Sequence, residues 1–396
     1  MQPPTQMGTP MTDHDQSLSA PFGTPGSRAL IDTPALVLDL DAFEHNIARM
    51  AEICRTAGVG LRPHAKTHKS SIIARKQIAA GAIGIGCATL DEAEVMVAAG
   101  LPGVLITSPL VTQGKIARLM RLVAGTGDVM VVADNPENVA ALDQAAAAAG
   151  TTLGVLVDLD LGQHRTGVAT VADGVRLARD IADRRHLRFA GVQAYGGHLQ
   201  HIPDHAGRLA ATRAADALVA ELVAALTEEG LAPGIVTGAG TGTHRINAGG
   251  GPFTELQAGS YTVMDAEYGD VEYAPGEAWP FRQALFVAVT VVSTNAPGRV
   301  TTDGGTKAFA LNGPPPRIAA GPLAGAAYAF SGDEHGCITL PDGVAAPTLG
   351  TVLDCVVPHC DPTIAHYDAI HCVRGDRLVD VWPVDARGRR AAAPRG

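Results

Sequence analysis

Between Ala35 and about residue 265, short runs of β-branched and aliphatic residues alternate with alanine-rich segments in which Ala, Leu and Val recur three and four positions apart. The first pattern marks buried strands and the second marks helices that cover one apolar face. Their alternation predicts repeated strand-helix units around a parallel sheet. A first strand is expected over 35–40 and a helix over 41–57, followed by eight further strands beginning near Val59, Ile83, Val104, Val129, Leu153, Phe189, Ile235 and Leu256. Helices are expected around 91–99, 135–149, 171–184 and 205–229. Eight parallel strands with helices between them imply a closed (β/α)8 barrel of the α/β class, whose reacting groups sit at the carboxyl ends of the strands. An open, doubly wound sheet is the alternative. Beyond about Gly276 the texture changes, because strands such as 284–292 and 352–358 are separated by turn-rich stretches like Asn312-Gly-Pro-Pro-Pro with no long helix. The chain therefore divides into an arm at 1–30, a first strand at 31–40 that joins the later β domain, a barrel at 41–272 and a β-rich domain at 273–396.

Composition narrows what such a molecule can bind. Hydrophobic residues make up 46% of the 396 positions without any apolar run long enough to cross a bilayer, which fits a soluble chain with a substantial core. A net charge of -10 with no concentrated basic patch argues against nucleic-acid or anionic-membrane surfaces, and leaves a small molecule as the expected ligand. Cys54, Cys87, Cys337, Cys355, Cys360 and Cys372 are dispersed without CxxC pairs, as in a cytoplasmic protein with reduced thiols. The arm at 1–30 is rich in Pro, Gly, Ser and Thr, carries Asp13 and Asp15, and shows neither the basic start nor the apolar stretch of an export signal.

The run Arg62-Pro-His-Ala-Lys-Thr-His-Lys69 stands out because the chain holds five lysines among thirty basic residues, and two of them fall here. Arginine serves wherever positive charge alone is needed. A lysine kept at the end of the first barrel strand points to an amine that can lose its proton and attack a carbonyl. Arg62, His64 and Lys66 share one face by the two-residue period, so His64 accompanies Lys66 as a candidate catalytic group. An aldehyde cofactor held as a Schiff base is the natural proposal, and a surface lysine cluster is the bland one.

Two loops could cradle a phosphate. Thr237-Gly-Ala-Gly-Thr-Gly-Thr243 has glycines at alternate positions after a strand, and Gly259-Ser260-Tyr261 follows the last barrel strand. Each is also an ordinary turn sequence. Arg165, in Asp158-Leu-Asp-Leu-Gly-Gln-His-Arg-Thr-Gly167, reads either as a rim ion pair or as a permanent donor to the ring nitrogen of a pyridine cofactor. Tyr195-Gly-Gly-His198 offers a ring wall and, in His198, a candidate catalytic polar group, although Tyr195 could simply pack. At Pro358-His-Cys-Asp-Pro362, His359 and Asp361 project to one side of an extended segment and could share a divalent cation, leaving positions open for water and substrate oxygens. A lone HxD is more often structural. Asp333-Glu-His335 is a further cluster nearby, while His366 and His371 have no comparable claim.

Taken together, Pro63-His-Ala-Lys-Thr-His68, Gln193-Ala-Tyr195, Thr237 to Thr243, Glu255-Leu-Gln-Ala-Gly-Ser-Tyr261 with Met264-Asp265, Asp333-Glu-His-Gly336 and His359-Cys-Asp-Pro-Thr363 resemble the D-threonine aldolase family. That family is similar to 3-hydroxy-D-aspartate aldolases and D-serine dehydratases and shares the alanine-racemase-like barrel, and the match runs from about Asp32 to Arg390. The resemblance implies pyridoxal 5'-phosphate on Lys66, phosphate contacts from Gly240, Thr241, Gly259, Ser260 and Tyr261, Arg165 at the ring nitrogen, and a divalent metal on His359 and Asp361. It also implies a homodimer acting on a β-hydroxy amino acid.

Position 361 separates the relatives. Dehydratases similar to this chain tend to carry cysteine there with zinc, whereas aspartate favours Mn²⁺, with Mg²⁺ or Ca²⁺ as alternatives, and retro-aldol cleavage to glycine and an aldehyde. Dehydration to a 2-oxo acid and ammonia is the rival reading. His164-Arg-Thr-Gly167, Cys87-Ala-Thr-Leu-Asp-Glu and Gly197-His198 depart from the aldolase pattern, which bears on the substrate side chain more than on the reaction class.

Overall fold

The computed structural model describes residues 22–388. In chain order its elements begin with β1 (Ala35–Asp39), α1 (Leu40–Ala57), β2 (Gly60–Leu61), α2 (Ser71–Ala79), β3 (Ile85–Cys87), α3 (Leu90–Ala98), β4 (Val104–Ile106), α4 (Gln113–Thr126) and β5 (Val129–Ala133). There follow α5 (Pro136–Ala149), β6 (Leu153–Asp158), α6 (Val171–Asp183), β7 (Leu187–Ala194), α7 (His205–Glu228), β8 (Ile235–Gly238), α8 (His244–Ala248), β9 (Glu255–Leu256) and α9 (Ala266–Gly269).

Strands β2 to β9 are parallel and pair in the order β2-β9-β8-β7-β6-β5-β4-β3. The two ends of this series meet. The Ile83 N–H donates to Leu61 O (2.8 Å), Gly86 N–H to Pro63 O (2.9 Å) and Ala65 N–H to Gly86 O (2.8 Å), around a His64–Gly86 bridge. The ring is a closed barrel, and the open doubly wound sheet is excluded. The strand expected over 59–64 is interrupted because Pro63 has no N–H to give the ladder, yet Arg62 and His64 still donate to Leu256 and Ala258.

Local sequence explains where the helices start and stop. Asp39 caps α1 by accepting the Asp41 and Ala42 N–H groups, and Gly58 ends it at φ 68. Thr89 and Glu92 form a reciprocal capping box at α3. Asn135 caps α5, whose first position is Pro136.

The second domain is built from β10 (Leu285–Ser293), β11 (Arg299–Thr302), β12 (Arg317–Ile318), β13 (Tyr328–Phe330), β14 (Gly336–Thr339), β15 (Val352–Val356), α10 (Cys360–Ile364), β16 (Ala369–Arg374) and β17 (Arg377–Pro383). Its sheet runs β13-β14-β11-β10-β1-β16-β17, with β15 added to β10 and β12 to β15. Strand β1 sits at its centre, antiparallel to β10 and parallel to β16. Of the arm expected over 1–30, residues 1–21 lie outside the described residues. The remainder meets β17, where Gly23 N–H donates to Leu378 O (2.8 Å), and reaches β15, where the Arg28 guanidinium pairs with Asp354.

There are two apolar cores, one around the barrel strands and one around β1, β10 and α1, and the second crosses the domain boundary to take in Ile73 and Val263. Polar contacts join the two domains at the barrel mouth: Ser71 N–H and Oγ donate to Asp385 (2.9 and 2.5 Å), and Ala386 N–H donates to Lys69 O (2.9 Å). These contacts press the second domain against the turn that carries Lys66.

Candidate active site

Lys66 occupies a tight turn at the carboxyl end of β2, closed by Lys69 N–H donating to Ala65 O (2.8 Å). Lys69 takes a left-handed φ of 48, and its amine pairs with Glu92, whose other oxygen accepts the Ala88 N–H (2.7 Å). The turn that carries Lys66 is thereby tied to the capping box of α3. The Lys66 amine reaches across to the Asp361 carboxylate. Burial alone would pull the lysine pKa down, but Asp361 and Tyr195 outweigh it and hold the amine charged. Burial likewise pushes Asp361 up, and Lys66 with His359 reverses this, leaving it below the usual carboxylate range.

A cavity of about 190 Å³ opens beside the amine, bounded by His64, Lys66, Thr107, Arg165, Tyr195 and Gln257. Burial and the neighbouring Lys66 pull His64 down to about 3, so its imidazole is neutral. Its Nδ1 accepts the Lys66 N–H (3.3 Å) and its Nε2 faces Thr107 Oγ1 (2.9 Å). Both nitrogens are engaged, and His64 acts on the turn rather than as a free base. Beneath, Gln257 Nε2 donates to Gln193 Oε1 (3.1 Å), Gln193 Nε2 to Asp158 Oδ1 (3.0 Å), and Thr166 Oγ1 to Asp158 Oδ2 (2.8 Å). Burial pushes Asp158 up to about 6 against these hydrogen bonds. The ladder ends at Thr166, next to Arg165, whose guanidinium lies 5.6 Å from the Tyr195 ring centroid.

The two glycine loops lie at the ends of β8 and β9. Gly242 N–H donates to Gln200 Oε1 (3.0 Å), and Tyr261 N–H donates to Thr241 Oγ1 (3.0 Å), which stitches one loop to the other. A side chain at Gly242 would stand 1.9 Å from Gln200 O, and one at Gly259 2.5 Å from Thr67 Oγ1. The Tyr261 side chain is fully buried, with its hydroxyl accepting from Gln77 Nε2 (3.1 Å), so only its backbone belongs to the loop. His198 is exposed on the turn after β7 and does not border the cavity.

His359 and Asp361 do not lie on an extended segment. His359 is the N-cap of α10 and Asp361 sits in its first turn, a position that the following Pro362 favours because a proline nitrogen has no donor to lose there. His359 Nδ1 lies 2.7 Å from Asn312 Nδ2 and 3.5 Å from Glu267 Oε2. Glu267 Oε1 is 3.4 Å from His201 Nδ1, and the His201 and His359 rings are 6.4 Å apart. His201 Nε2 is buried without a hydrogen-bond partner. Among the described residues no set of three His, Cys, Asp or Glu is gathered as a metal cluster. An imidazole nitrogen and a hard carboxylate oxygen are nonetheless a donor set for a divalent cation that completes its shell with water or substrate oxygens.

The residues also suit a pyridoxal cofactor. An amine and an arginine border one cavity at the strand ends, and Thr237 Oγ1, just before the first glycine loop, is buried and unpartnered. Of the residues singled out in the sequence, Lys66, His64, Arg165 and Tyr195 line this cavity, Asp361 is tied to it through Lys66, and His359 lies outside its lining beside Asn312 and Glu267. The sequence reading assigns no role to Asp158, Gln193, Gln257, His201 or Glu267. Gln193 and Gln257 carry one signal, since each stands two residues before a motif residue and so shares its inward face.

Known proteins match over most of this length. The alanine racemase, N-terminal domain family matches residues 38–267, and the "Putative serine dehydratase domain" family matches 284–373. A D-threonine aldolase from Arthrobacter sp is 41% identical over 91% of this chain and 94% of its own. A 3-hydroxy-D-aspartate aldolase from Paracoccus denitrificans is 38% identical over 91% and 93%. The crystal structure of D-threonine aldolase from Filomicrobium marinum superposes with a TM-score of 0.87 at 40% identity, covering 91% of this chain and 96% of that one.

Proposed function

Because the chain belongs to the D-threonine aldolase family, built on the alanine racemase N-terminal fold, we propose that it cleaves a β-hydroxy-D-amino acid to glycine and an aldehyde, using pyridoxal 5'-phosphate and a divalent cation. The observation that carries this reading is the meeting of Lys66 and Asp361, 295 positions apart, at the carboxyl rim of the barrel. Pyridoxal phosphate supplies the electron sink for the carbanion left when the Cα–Cβ bond breaks.

The chain's own residues do the rest. Lys66 holds the cofactor, the loops at Gly240-Thr241 and Gly259-Ser260 present backbone N–H groups to its phosphate, and Arg165 donates to its ring nitrogen without surrendering a proton. His359 and Asp361 hold the cation, with Mn²⁺ favoured by the hard carboxylate, and orient the substrate's β-hydroxyl. His201, its burial holding the imidazole below its ordinary pKa, has a free Nε2 to take a proton beside this pair. Six unpaired cysteines, five of them buried, support a reducing, cytoplasmic setting. No helix among the described residues is long and apolar enough to cross a membrane. A homodimer is part of the same reading, and light scattering tests it.

The deciding assay supplies the purified protein with pyridoxal phosphate and Mn²⁺ and offers D- and L-threonine, D-serine, 3-hydroxyaspartate and phenylserine. Glycine and 2-oxo acid are both measured. Glycine with an aldehyde from D-configured substrates is expected, and a 2-oxo acid with ammonia would assign dehydration instead. Lys66→Ala should lose the visible absorbance of bound cofactor, and Asp361→Ala should keep that absorbance while losing cleavage.

A further inference from the structure

Asp265 lies where the barrel hands over to the second domain. The residue is 2% exposed, and its carboxylate accepts from two backbone donors. Oδ1 accepts Tyr268 N–H (3.0 Å), the usual N-cap bond of α9, and Oδ2 accepts Cys360 N–H (2.9 Å). The second bond crosses between domains and lands on the residue between His359 and Asp361. Taking a carboxylate out of water is costly, and a serine or asparagine would cap α9 as well. The charge and the second oxygen are needed only for Cys360.

The neighbourhood makes this link stiff. Upstream, Met264 holds a left-handed φ of 57 and its N–H donates to Ser260 O (2.7 Å), so a tight turn runs from the Gly259-Ser-Tyr261 loop to Asp265. Alongside, Ala266 N–H donates to Val357 O (3.0 Å) and Glu267 N–H to Pro358 O (3.3 Å). Downstream, the Cys360 thiol is fully buried, with Sγ 3.4 Å from Asp361 Oδ1. His359 supplies no side-chain cap to α10, which leaves the first turn dependent on the barrel carboxylate.

We propose that Asp265 is a positioning residue for the cation pair: by fixing the Cys360 peptide it sets the His359 imidazole and the Asp361 carboxylate at their working separation, in register with the loop at 259–261. This rests on the reading of His359 and Asp361 as cation ligands. Groups that orient metal ligands from outside typically control affinity about 10- to 100-fold.

The test is Mn²⁺ binding to the protein loaded with pyridoxal phosphate, followed by the electron paramagnetic resonance signal of free Mn²⁺. Asp265→Ser keeps a cap for Tyr268 N–H but is too short to reach Cys360. It should weaken Mn²⁺ binding about 10- to 100-fold while the cofactor absorbance and affinity hold. Asp265→Asn keeps one oxygen and the original shape, should fall between Ser and wild type, and carries the test if the serine variant does not fold. Asp361→Ala is the reference for loss of the site. Unchanged Mn²⁺ affinity in both Asp265 variants, with Asp361→Ala still losing the ion, overturns the role of Asp265 and leaves the cation pair standing. Equal Mn²⁺ affinity in wild type and Asp361→Ala overturns both. A parallel loss of cofactor and Mn²⁺ affinity in the Asp265 variants assigns the residue to the fold alone and also overturns the proposal.

Discussion

Removing Glu255 should destabilise the barrel by about 3–5 kcal/mol, because it strands a charge that has no route to water. Arg62 and Glu255 meet inside the ring, with side chains 5% and 3% exposed. The guanidinium donates through Nε to Oε1 (2.6 Å) and through Nη2 to Oε2 (2.9 Å), while Nη1 is spent on Gly103 O. The barrel makes room for this group deliberately: a side chain at Gly84 would stand 2.1 Å from Nη1, and one at Gly103 2.9 Å from it. A planar fork against a carboxylate satisfies every polar atom the pair buries there. Glu255→Ala leaves Gly103 O as the remaining acceptor for a buried cation. The double variant Arg62→Met/Glu255→Leu removes both charges and should recover most of the loss. Urea unfolding of the two single variants and the double variant, read as a mutant cycle, measures the coupling. A cost below about 1 kcal/mol for Glu255→Ala, or a double variant no better than the worse single one, would refute the reasoning.

Other substitutions probe the site directly. Gly242→Ala places a Cβ 1.9 Å from Gln200 O and should cost about 1–3 kcal/mol, seen as weaker pyridoxal phosphate binding in equilibrium dialysis. Gly114→Ala in α4, with nothing within 4 Å, should leave binding unchanged. Asp158, at about 6 in the fold, binds a proton there that the unfolded chain has already released between about pH 4 and 6, so stability falls as pH rises through that window. Asp158→Asn should flatten that slope by up to about 3 kcal/mol in urea unfolding at a series of pH values, and a slope identical to wild type would exclude burial of Asp158 as its source. Asp361→Cys replaces a hard oxygen with a soft sulfur and should move the Zn²⁺-to-Mn²⁺ affinity ratio toward zinc by at least about tenfold in competition binding.

The barrel is readable in the sequence because parallel strands buried on both faces are largely apolar, as Val129–Ala133 and Leu153–Asp158 up to its final carboxylate are. Lys66 is readable for a compositional reason, the scarcity of lysine elsewhere. Helix α4 buries Ile116, Leu119, Met120 and Val123 at helical spacing, but its opening Gln113-Gly-Lys has the texture of a turn. What periodicity cannot supply is the polar interior. Asp158, Gln193 and Gln257 look like interruptions of their strands until the ring closes and stacks them into one ladder. The His359-Cys-Asp361 motif reads as extended by its spacing, while Pro362 and the bond from Asp265 turn it into the start of a helix. Its partners in the barrel lie about a hundred or more positions away, a distance over which no local pattern carries information.

That separation has a mechanical consequence. Lys66 and the His359–Asp361 pair belong to different domains, so the distance between them is set by how the domains meet. Part of the junction is apolar, where Phe43, Ile47, Ile73 and Val263 pack into the second domain's core, and at the mouth it is polar: Asp265 to Cys360, Ser71 to Asp385, Lys69 to Ala386, Ala266 to Val357. Hydrogen bonds of this kind contribute little net stability each, about 1 kcal/mol, but they are directional, so they fix the register that the apolar packing beside them leaves free. On the proposed reading the substrate hydroxyl sits at one ligand set and its amino carbon at another, and such an arrangement gains from a fixed register, since misplacement of reacting groups by about 1 Å costs on the order of a hundredfold in rate. Loosening the junction should therefore slow cleavage before it unfolds either domain.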